Sequence, residues 1–300
     1  MVQVLGIVIA LAGASVLLYT LERLFPSVQG QPRWRSDGKV DVLYWLLTPL
    51  MTRLVLKIVG VAGVAIALGA LGRQIAPTRM VDGFGPLVWQ PRWLVLIEML
   101  LLGELIGYWT HRWFHRERQW KFHAIHHSSA RLDWLSTLRV HPVNDVVSKL
   151  IPVLALACLG FPLKALAAYV VLLTFYPVLL HANVDWSFGP LRYVIASPSF
   201  HRWHHTTEDQ GLNKNYAPLF ALADVIFGTF HMPSGERPSR FGISATRVPE
   251  TFLEQLLFPF RRERLASQRS APRQSVDQTV ARCLAGAEMR KMRAFLETLR

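Results

Sequence analysis

Cysteine is nearly missing from this chain, with only Cys158 and Cys283 in 300 residues. One lies in an apolar stretch and the other near the C-terminus, so there is no disulfide framework and no Cys-x-x-Cys metal motif. Charge is scarce as well, at 18% of residues, and acids (20) are outnumbered by Lys and Arg (33). The net +13 would suit nucleic acid only with a basic face carrying base-reading or stacking side chains, and no such motif occurs. His-Glu-x-x-His is absent, which removes the zinc-hydrolase pattern that carries its own carboxylate base. No basic residue precedes the first apolar run, where a secretory signal peptide would place its positive charge.

Apolar sequence is what the chain has in abundance. It is 51% hydrophobic with a mean hydropathy of +0.25, too apolar for an ordinary soluble domain. The expected fold is all-α: a polytopic helical membrane protein with about four membrane segments or hairpins and a cytoplasmic histidine-rich helical cap. Residues 2–21 carry no charge and match the ~20 residues of a span. Arg23, Arg33, Arg35 and Lys39 follow, which predicts a retained helix with its N-terminus outside. Val42 to Leu71 is interrupted by Pro49, Arg53 and Lys57, predicting a surface-lying first half that turns into a span near Leu54. Trp93 to Thr110 is a third span. Val146 to Gly160 and Leu163 to Leu180, joined by Phe161-Pro162, predict a tight hairpin whose arms stop short of a full crossing. The hairpin returns the chain to the side it left, so every histidine-bearing segment falls on the Arg-rich, cytoplasmic face. The basic stretch Arg261 to Arg300 reads either as an interfacial helix on anionic lipid or as a dispensable tail. The domain reading is 1–92 for N-terminal membrane helices and linker, 93–232 for the catalytic region, and 233–300 for the basic tail.

Histidine is the concentrated residue. Five of the eleven fall between His111 and His127, where even spacing would put fewer than one. His111 and His115 share a helix face, as do His123, His126 and His127, and His201, His204 and His205 repeat the second spacing. Imidazole is the commonest protein metal ligand and suits iron, zinc, copper and nickel. Eight clustered imidazoles, with His181 as a ninth candidate, exceed the roughly four that fill one zinc and suit two ions. Two irons with nitrogen ligands and open positions can use O2 to attack an unactivated C–H bond, and the protein holds the metals and keeps the cavity dry. Zinc binds such sites more tightly than ferrous iron, so zinc in purified protein is compatible with this reading.

Three rivals stand beside it. A histidine-rich membrane metal transporter would hold its histidines mid-membrane along a pore, whereas these sit in polar sequence at span ends. A bis-histidine haem protein needs paired histidines inside spans. A zinc-dependent membrane hydrolase would work without O2. Among acids, Glu98 and Glu104 lie at membrane depth, and Glu104, Tyr108, His111 and His115 form one helical stripe, making Glu104 a catalytic candidate. Glu117 reads either as a partner that orients an imidazole or as a surface ion pair with Arg116 and Arg118.

The set His111-x3-His115, His123-x2-His126-His127 and His201-x2-His204-His205, between apolar segments, resembles the fatty acid hydroxylase/sterol desaturase superfamily of integral-membrane di-iron enzymes. The resemblance runs from about Val95 to Thr229. It includes Tyr108-Trp109-Thr110-His111-Arg112, His181-Ala182-Asn183-Val184, Asn213-Lys214-Asn215-Tyr216, and Asp224 to Gly228-Thr229. It implies O2-dependent hydroxylation or desaturation of a membrane lipid, with the eight motif histidines as iron ligands and His181 as a ninth. Asp185 stands one turn after His181, where some relatives carry a further histidine, and is a second catalytic candidate. His141, in Arg139-Val140-His141-Pro142, matches a recurrent segment and is expected to act structurally or near the site. His231 reads as a surface residue. Ala217 departs from the Gly that many relatives carry after the Asn-Tyr pair. No fused electron carrier is expected, so a separate ferredoxin-like or cytochrome-type donor is implied.

Overall fold

The computed structural model describes residues 2–32, 35, 37–70, 72, 77–243 and 248–261. The described residues form ten α-helices: α1 (Val2–Leu24), α2 (Gly38–Ala70), α3 (Pro77–Asp82), α4 (Arg92–Phe114), α5 (Glu117–His127), α6 (Pro142–Leu159), α7 (Leu163–His181), α8 (Pro198–His204), α9 (Leu222–Ile226) and α10 (Phe252–Leu257). Among them the only β pairing is two isolated bridges, Pro26 with Val184 and Thr206 with Phe241. The expected all-α fold is borne out. The stretch Arg261 to Arg300 lies, apart from Arg261, outside the described residues, as do Arg33 and Cys283.

Among the described residues, four helices are long and apolar enough to cross a membrane: α2, α4, α6 and α7. Their apolar windows are only 11–33% buried, so most of that apolar surface faces outward, as it must where the solvent is hydrocarbon. Ile58, Val61 and Ile66 on α2 are 59%, 70% and 72% exposed. The chain is an integral membrane protein.

The structure corrects two details of the expectation. Over Val42 to Leu71 there is no turn from a surface segment into a span: α2 runs unbroken through Pro49 for 33 residues. At ~1.5 Å per residue it is about 50 Å long, more than the ~30 Å of a hydrocarbon core. Its first turns therefore belong to the cap, where Val40 and Tyr44 join Trp120, Ala124, Ile125, Phe252 and Phe258 in one apolar cluster. The first hairpin arm is also longer than its apolar run suggests, while the second matches its run to within one residue. α6 begins at Pro142 because the His141 side chain caps it, accepting from Val143 N at 3.1 Å. The two arms of 18 and 19 residues reach ~27–28 Å each.

Two glycines set how these helices meet. Gly160 ends α6 at φ +101°, and a Cβ there would lie 2.5 Å from the Phe84 carbonyl oxygen, which closes the turn between α6 and α7 against the chain before α4. Gly103 on α4 admits Tyr169 of α7, whose hydroxyl would sit 2.6 Å from any added Cβ. Around them Val64, Met99, Leu156, Leu166 and Tyr169 make the core within the helix bundle. A second ordering device is ionic. Arg35, 3% exposed, donates to Asp133 at 2.8 and 2.9 Å, to Ser129 at 2.9 Å and to Asp41. Arg139 reaches Asp41 at 2.5 Å and Asp37 at 2.8 Å. Burial opposes charge on Arg35, but Asp133, Asp41 and Asp37 outweigh it and raise its pKa. Breaking one partner of such a buried set costs ~3–5 kcal/mol. The network straps the segment before α2 onto the loop between the second and third histidine-bearing stretches.

Candidate metal centre

All nine histidines singled out as ligand candidates converge. His111, His115, His123, His127 and His204 form one group; His126, His181, His201 and His205 form another; within each, the ligand atoms lie within 4.8 Å of one another. His111 closes the last turn of α4 and His115 caps it. His123, His126 and His127 occupy the last turns of α5, His181 ends α7, and His201, His204 and His205 lie on α8 and its cap.

The repeated His-x-x-His-His spacing has a geometric meaning. On α5 the first and last histidines, His123 and His127, enter the first group and the middle one, His126, enters the second. On α8 the assignment is reversed: His201 and His205 enter the second group, and His204 the first. Residues at i and i+4 share a face while i+3 points to its flank, so two facing copies of one motif supply both groups reciprocally. The His127 and His205 rings stack between them at 4.2 Å and 22°.

The protonation state follows from what the other ring nitrogens touch. His111 Nδ1 donates to the Tyr216 carbonyl at 2.6 Å, His204 Nδ1 to Lys214 at 2.8 Å, His181 Nδ1 to Pro177 at 2.8 Å and His126 Nδ1 to Arg139 at 3.3 Å. A carbonyl oxygen only accepts, so each Nδ1 carries the proton and each Nε2 is a bare lone pair. His123 Nδ1 donates likewise to Asn144 Oδ1 at 2.8 Å, while the Asn144 amide nitrogen donates to Ser148.

These bare nitrogens then face one another. Nε2 of His111 lies 3.0 Å from Nε2 of His123, and Nε2 of His181 lies 3.1 Å from Nε2 of His126. No proton is available for a hydrogen bond between such pairs, and two lone pairs at that distance repel. A cation bound by both removes the repulsion. Two nitrogens held ~2.1 Å from one metal at right angles are ~3.0 Å apart, matching these separations. Both nitrogens of His115, Nδ1 of His127 and His201, and Nε2 of His204 are buried without a hydrogen-bond partner among the described residues. Buried imidazole nitrogens are not normally left so. The donor set fits two metal ions.

Electrostatics agrees. His115, His123, His126, His127, His201, His204 and His205 all have pKa values pushed well below 6.5, first by burial and then, with smaller opposing hydrogen bonds at some, by neighbouring imidazoles. They are neutral at physiological pH, the state a ligand needs.

The supports around the histidines were mostly not foreseen. The 213–217 segment, with Asn213 and Asn215 at φ +57° and +59°, presents the Lys214 and Tyr216 carbonyls to His204 and His111. Buried Asp224 holds it, accepting from Tyr216 N at 2.8 Å, Ala217 N at 2.7 Å and Thr229 Oγ1 at 2.6 Å. Asn215 ties it to Phe200 and His231. Asn144 and the Arg139 carbonyl do the same for the α5 histidines. Asp224 and Asn215 stand in stretches noted in the sequence, but only the fold shows what they hold.

The remaining candidates lie elsewhere. Glu104 is 2% exposed and belongs to neither group. Its Oε2 accepts from Leu219 N at 2.7 Å and Phe220 N at 3.3 Å, and Tyr169 donates to Oε1 at 3.4 Å. Asp185 is also in neither group, and its carboxylate pairs with Arg237 at 2.5 Å. His141 caps α6 and donates to the Leu256 carbonyl at 3.1 Å. His231, expected at the surface, is half-buried and packs edge-on against Trp203 at 4.7 Å. Glu117 is exposed in the first turn of α5.

Comparison with known proteins bears on the same region. Residues 96–229 match the fatty acid hydroxylase family. An ornithine lipid hydroxylase, OlsE, from Rhizobium tropici is 34% identical over 180 residues, 58% of this chain and 54% of that protein. The alkylglycerol monooxygenase of Homo sapiens is 35% identical over 131 residues, covering 43% of this chain and 29% of that protein. A very-long-chain aldehyde decarbonylase, GL1-5, from Oryza sativa subsp. indica is 30% identical over 191 residues, 58% of this chain and 28% of that protein. The chain thus spans about half the length of the first of these and less than a third of the other two. No solved structure gives a significant match.

Proposed function

We propose, from the match of residues 96–229 to the fatty acid hydroxylase family, that the protein is a membrane-bound di-iron oxygenase that hydroxylates, or desaturates, a lipid. The observation that carries the reading is the pair of buried imidazole groups whose bare Nε2 atoms face each other at 3.0–3.2 Å. His111, His115, His123, His127 and His204 would hold one iron, and His126, His181, His201 and His205 the other. Bound iron would supply the activation of O2 and the oxidation of an unactivated C–H bond.

The chain's own residues do the rest. The carbonyls of Tyr216, Lys214, Arg139 and Pro177 keep each Nδ1 protonated and so hold each Nε2 as a ligand; such outer partners typically matter ~10–100-fold in metal affinity. Burial of both groups excludes bulk water, which limits escape of the oxidant. The position of the groups at the ends of α4 and α7 brings them to the end of the helix bundle, within reach of an acyl chain. Electrons would come from a separate ferredoxin-like or cytochrome-type protein docking on the basic cytoplasmic face; turnover with NADPH and O2 alone would remove that part of the reading. Glu104 is a positioning residue in this account, since both its oxygens are engaged, and Asp185 a peripheral one.

Lipid mass spectrometry of cells with and without the gene tests the activity. The expected result is a lipid gaining one oxygen, or losing two hydrogens, only when the gene is present and O2 is supplied. A product that forms equally without O2 would replace the oxygenase with a hydrolase.

A further inference from the structure

A cavity of about 320 Å³ lies between α1, α2 and the loops at 133–135 and 183, lined among others by Tyr19, Glu22, Arg23, Val42, Trp134 and Asn183. We propose that this cavity is a headgroup site that selects a lipid bearing a primary ammonium, by donation of an ammonium N–H to Glu22. The proposal deepens the lipid-oxygenase reading and rests on it.

Glu22 is the fixed point. Its Oε1 accepts from two backbone amides, Asn183 N at 2.8 Å and Trp134 N at 3.1 Å. Those bonds set the carboxylate plane, while Oε2 has no hydrogen-bond partner among the described residues. Burial raises the Glu22 pKa to about 7 against the pull of the two amides; ionised, the carboxylate only accepts, so a cation that donates both completes Oε2 and holds the group in its charged form. The neighbouring charges narrow the choice. Asp133 is already bonded to Arg35 through both oxygens, and buried Arg202, which donates to the Leu132 carbonyl at 3.2 Å, also acts electrostatically on Glu22. Asp133 acts on Glu22 more strongly than Arg202 does, so the carboxylate is left short of a cation, and a directed N–H supplies both the charge and the missing bond. Trp134 lines the cavity and gives an aromatic wall that favours an ammonium. Exposed Arg23 offers an anchor for an anionic part of the same headgroup. Size is suitable, at the lower end of the ~300–1,000 Å³ of ligand sites. Asn183 is two residues beyond His181 and Arg202 adjoins His201, so a lipid held here has the second histidine group next to its headgroup site.

The test uses the full chain purified in detergent, with retained lipid read by native mass spectrometry after adding phosphatidylethanolamine, phosphatidylcholine or phosphatidylglycerol. The first two carry the same net charge, but only the first has ammonium N–H. Phosphatidylethanolamine should be retained ~10-fold over phosphatidylcholine, about the worth of one charge-assisted hydrogen bond. Glu22→Gln, which keeps an acceptor oxygen for the two backbone amides, should abolish that preference and leave phosphatidylglycerol retention unchanged. Val42→Trp, which fills the cavity and leaves Glu22 intact, should abolish it independently. Equal retention of the two zwitterionic lipids by wild type, or a preference that survives either substitution, overturns the proposal. Because the readout is binding, failure here leaves the oxygenase reading standing. Selective binding without any oxidised lipid in cells would count against the oxygenase reading instead.

Discussion

Asp224 touches no histidine, yet its replacement should empty the metal centre. It is fully buried and is the shared acceptor for Tyr216 N, Ala217 N and Thr229 Oγ1. Alanine would orphan all three donors. Each buried donor left unsatisfied costs ~1–3 kcal/mol, so the sum is at least ~3 kcal/mol, a large share of the ~5–15 kcal/mol that holds a typical domain. Asparagine is gentler. It keeps one acceptor oxygen but turns an amide nitrogen toward a donor, so one bond is lost for ~1–3 kcal/mol. The functional consequence passes through the backbone. The bond lost is the one from Ala217 N, which shares a peptide plane with the Tyr216 carbonyl that accepts from His111 Nδ1 at 2.6 Å, so that carbonyl is no longer fixed, and loss of such a support typically lowers metal affinity ~10–100-fold. The assay is thermal unfolding in detergent together with metal retained against a graded chelator. Asp224→Asn should lower the Tm and shift chelator resistance by at least one decade. Thr229→Val removes one donor to Asp224 and also the 2.8 Å partner of the buried Tyr108 hydroxyl, so it should lower the Tm yet leave metal retention near wild type. A variant Asp224→Asn that loses Tm but resists chelator like wild type would refute the link from Asp224 to the metal centre.

Further outcomes follow from the same structure. Metal-free protein should lose stability steeply as pH falls below about 6.5. The seven cap imidazoles have folded pKa values far below those of the unfolded chain, so the unfolded state binds more protons, and two of them alone would contribute ~3 kcal/mol per pH unit. Asp224, raised by burial to about 6, works oppositely, losing stability as pH rises from about 4 to 6, but it is one group against seven; stability flat between pH 5 and 7 would contradict this. Glu104→Gln keeps an acceptor for Leu219 and Phe220 and should retain metal and turnover. Glu104→Ala should orphan two backbone donors, lower stability by ~2–5 kcal/mol and loosen the 213–220 segment; full metal retention with no turnover in Glu104→Gln would make Glu104 a catalytic group. Cysteines placed at exposed Ala130 and Ser234 should label from the same, cytoplasmic side, and labelling from opposite sides would overturn the topology.

The ligand candidates were legible in the sequence because they are one residue type at helical spacing. His111/His115 and the two His-x-x-His-His copies need only the 3.6 period to place them on shared faces. Which imidazole joins which group was not legible, since the reciprocal arrangement of His126 and His204 depends on α5 and α8 facing each other. The supports were hidden for a different reason. Tyr216, Lys214, Arg139 and Pro177 contribute carbonyl oxygens, which every residue has, so their side chains carry no signal. Arg35 lies 98 positions before Asp133, and Asp41 lies 98 before Arg139, so only the fold brings the two pairs of charges together. Hydropathy understates helix length where capping or continuity overrides it: His141 extends α6 beyond its apolar run, and Pro49 does not stop α2. Glu104 was found by its stripe, but the stripe could not reveal that Leu219 and Phe220 occupy its carboxylate.

A two-iron centre built by nine histidines is tested most directly by loading the metal. Purified protein stripped of metal and reloaded with ferrous iron should bind two ions per chain by elemental analysis and form an oxidised lipid with O2 and a reductant system. His123→Ala and His201→Ala, one from each group, should each lower the metal content and abolish product while the protein still inserts in membranes; His231→Ala should do neither. Reloading with zinc should restore metal content without product, because zinc binds such nitrogen sites tightly but has no redox chemistry. One ion per chain with full activity, or product formed with zinc and no O2, would contradict the account.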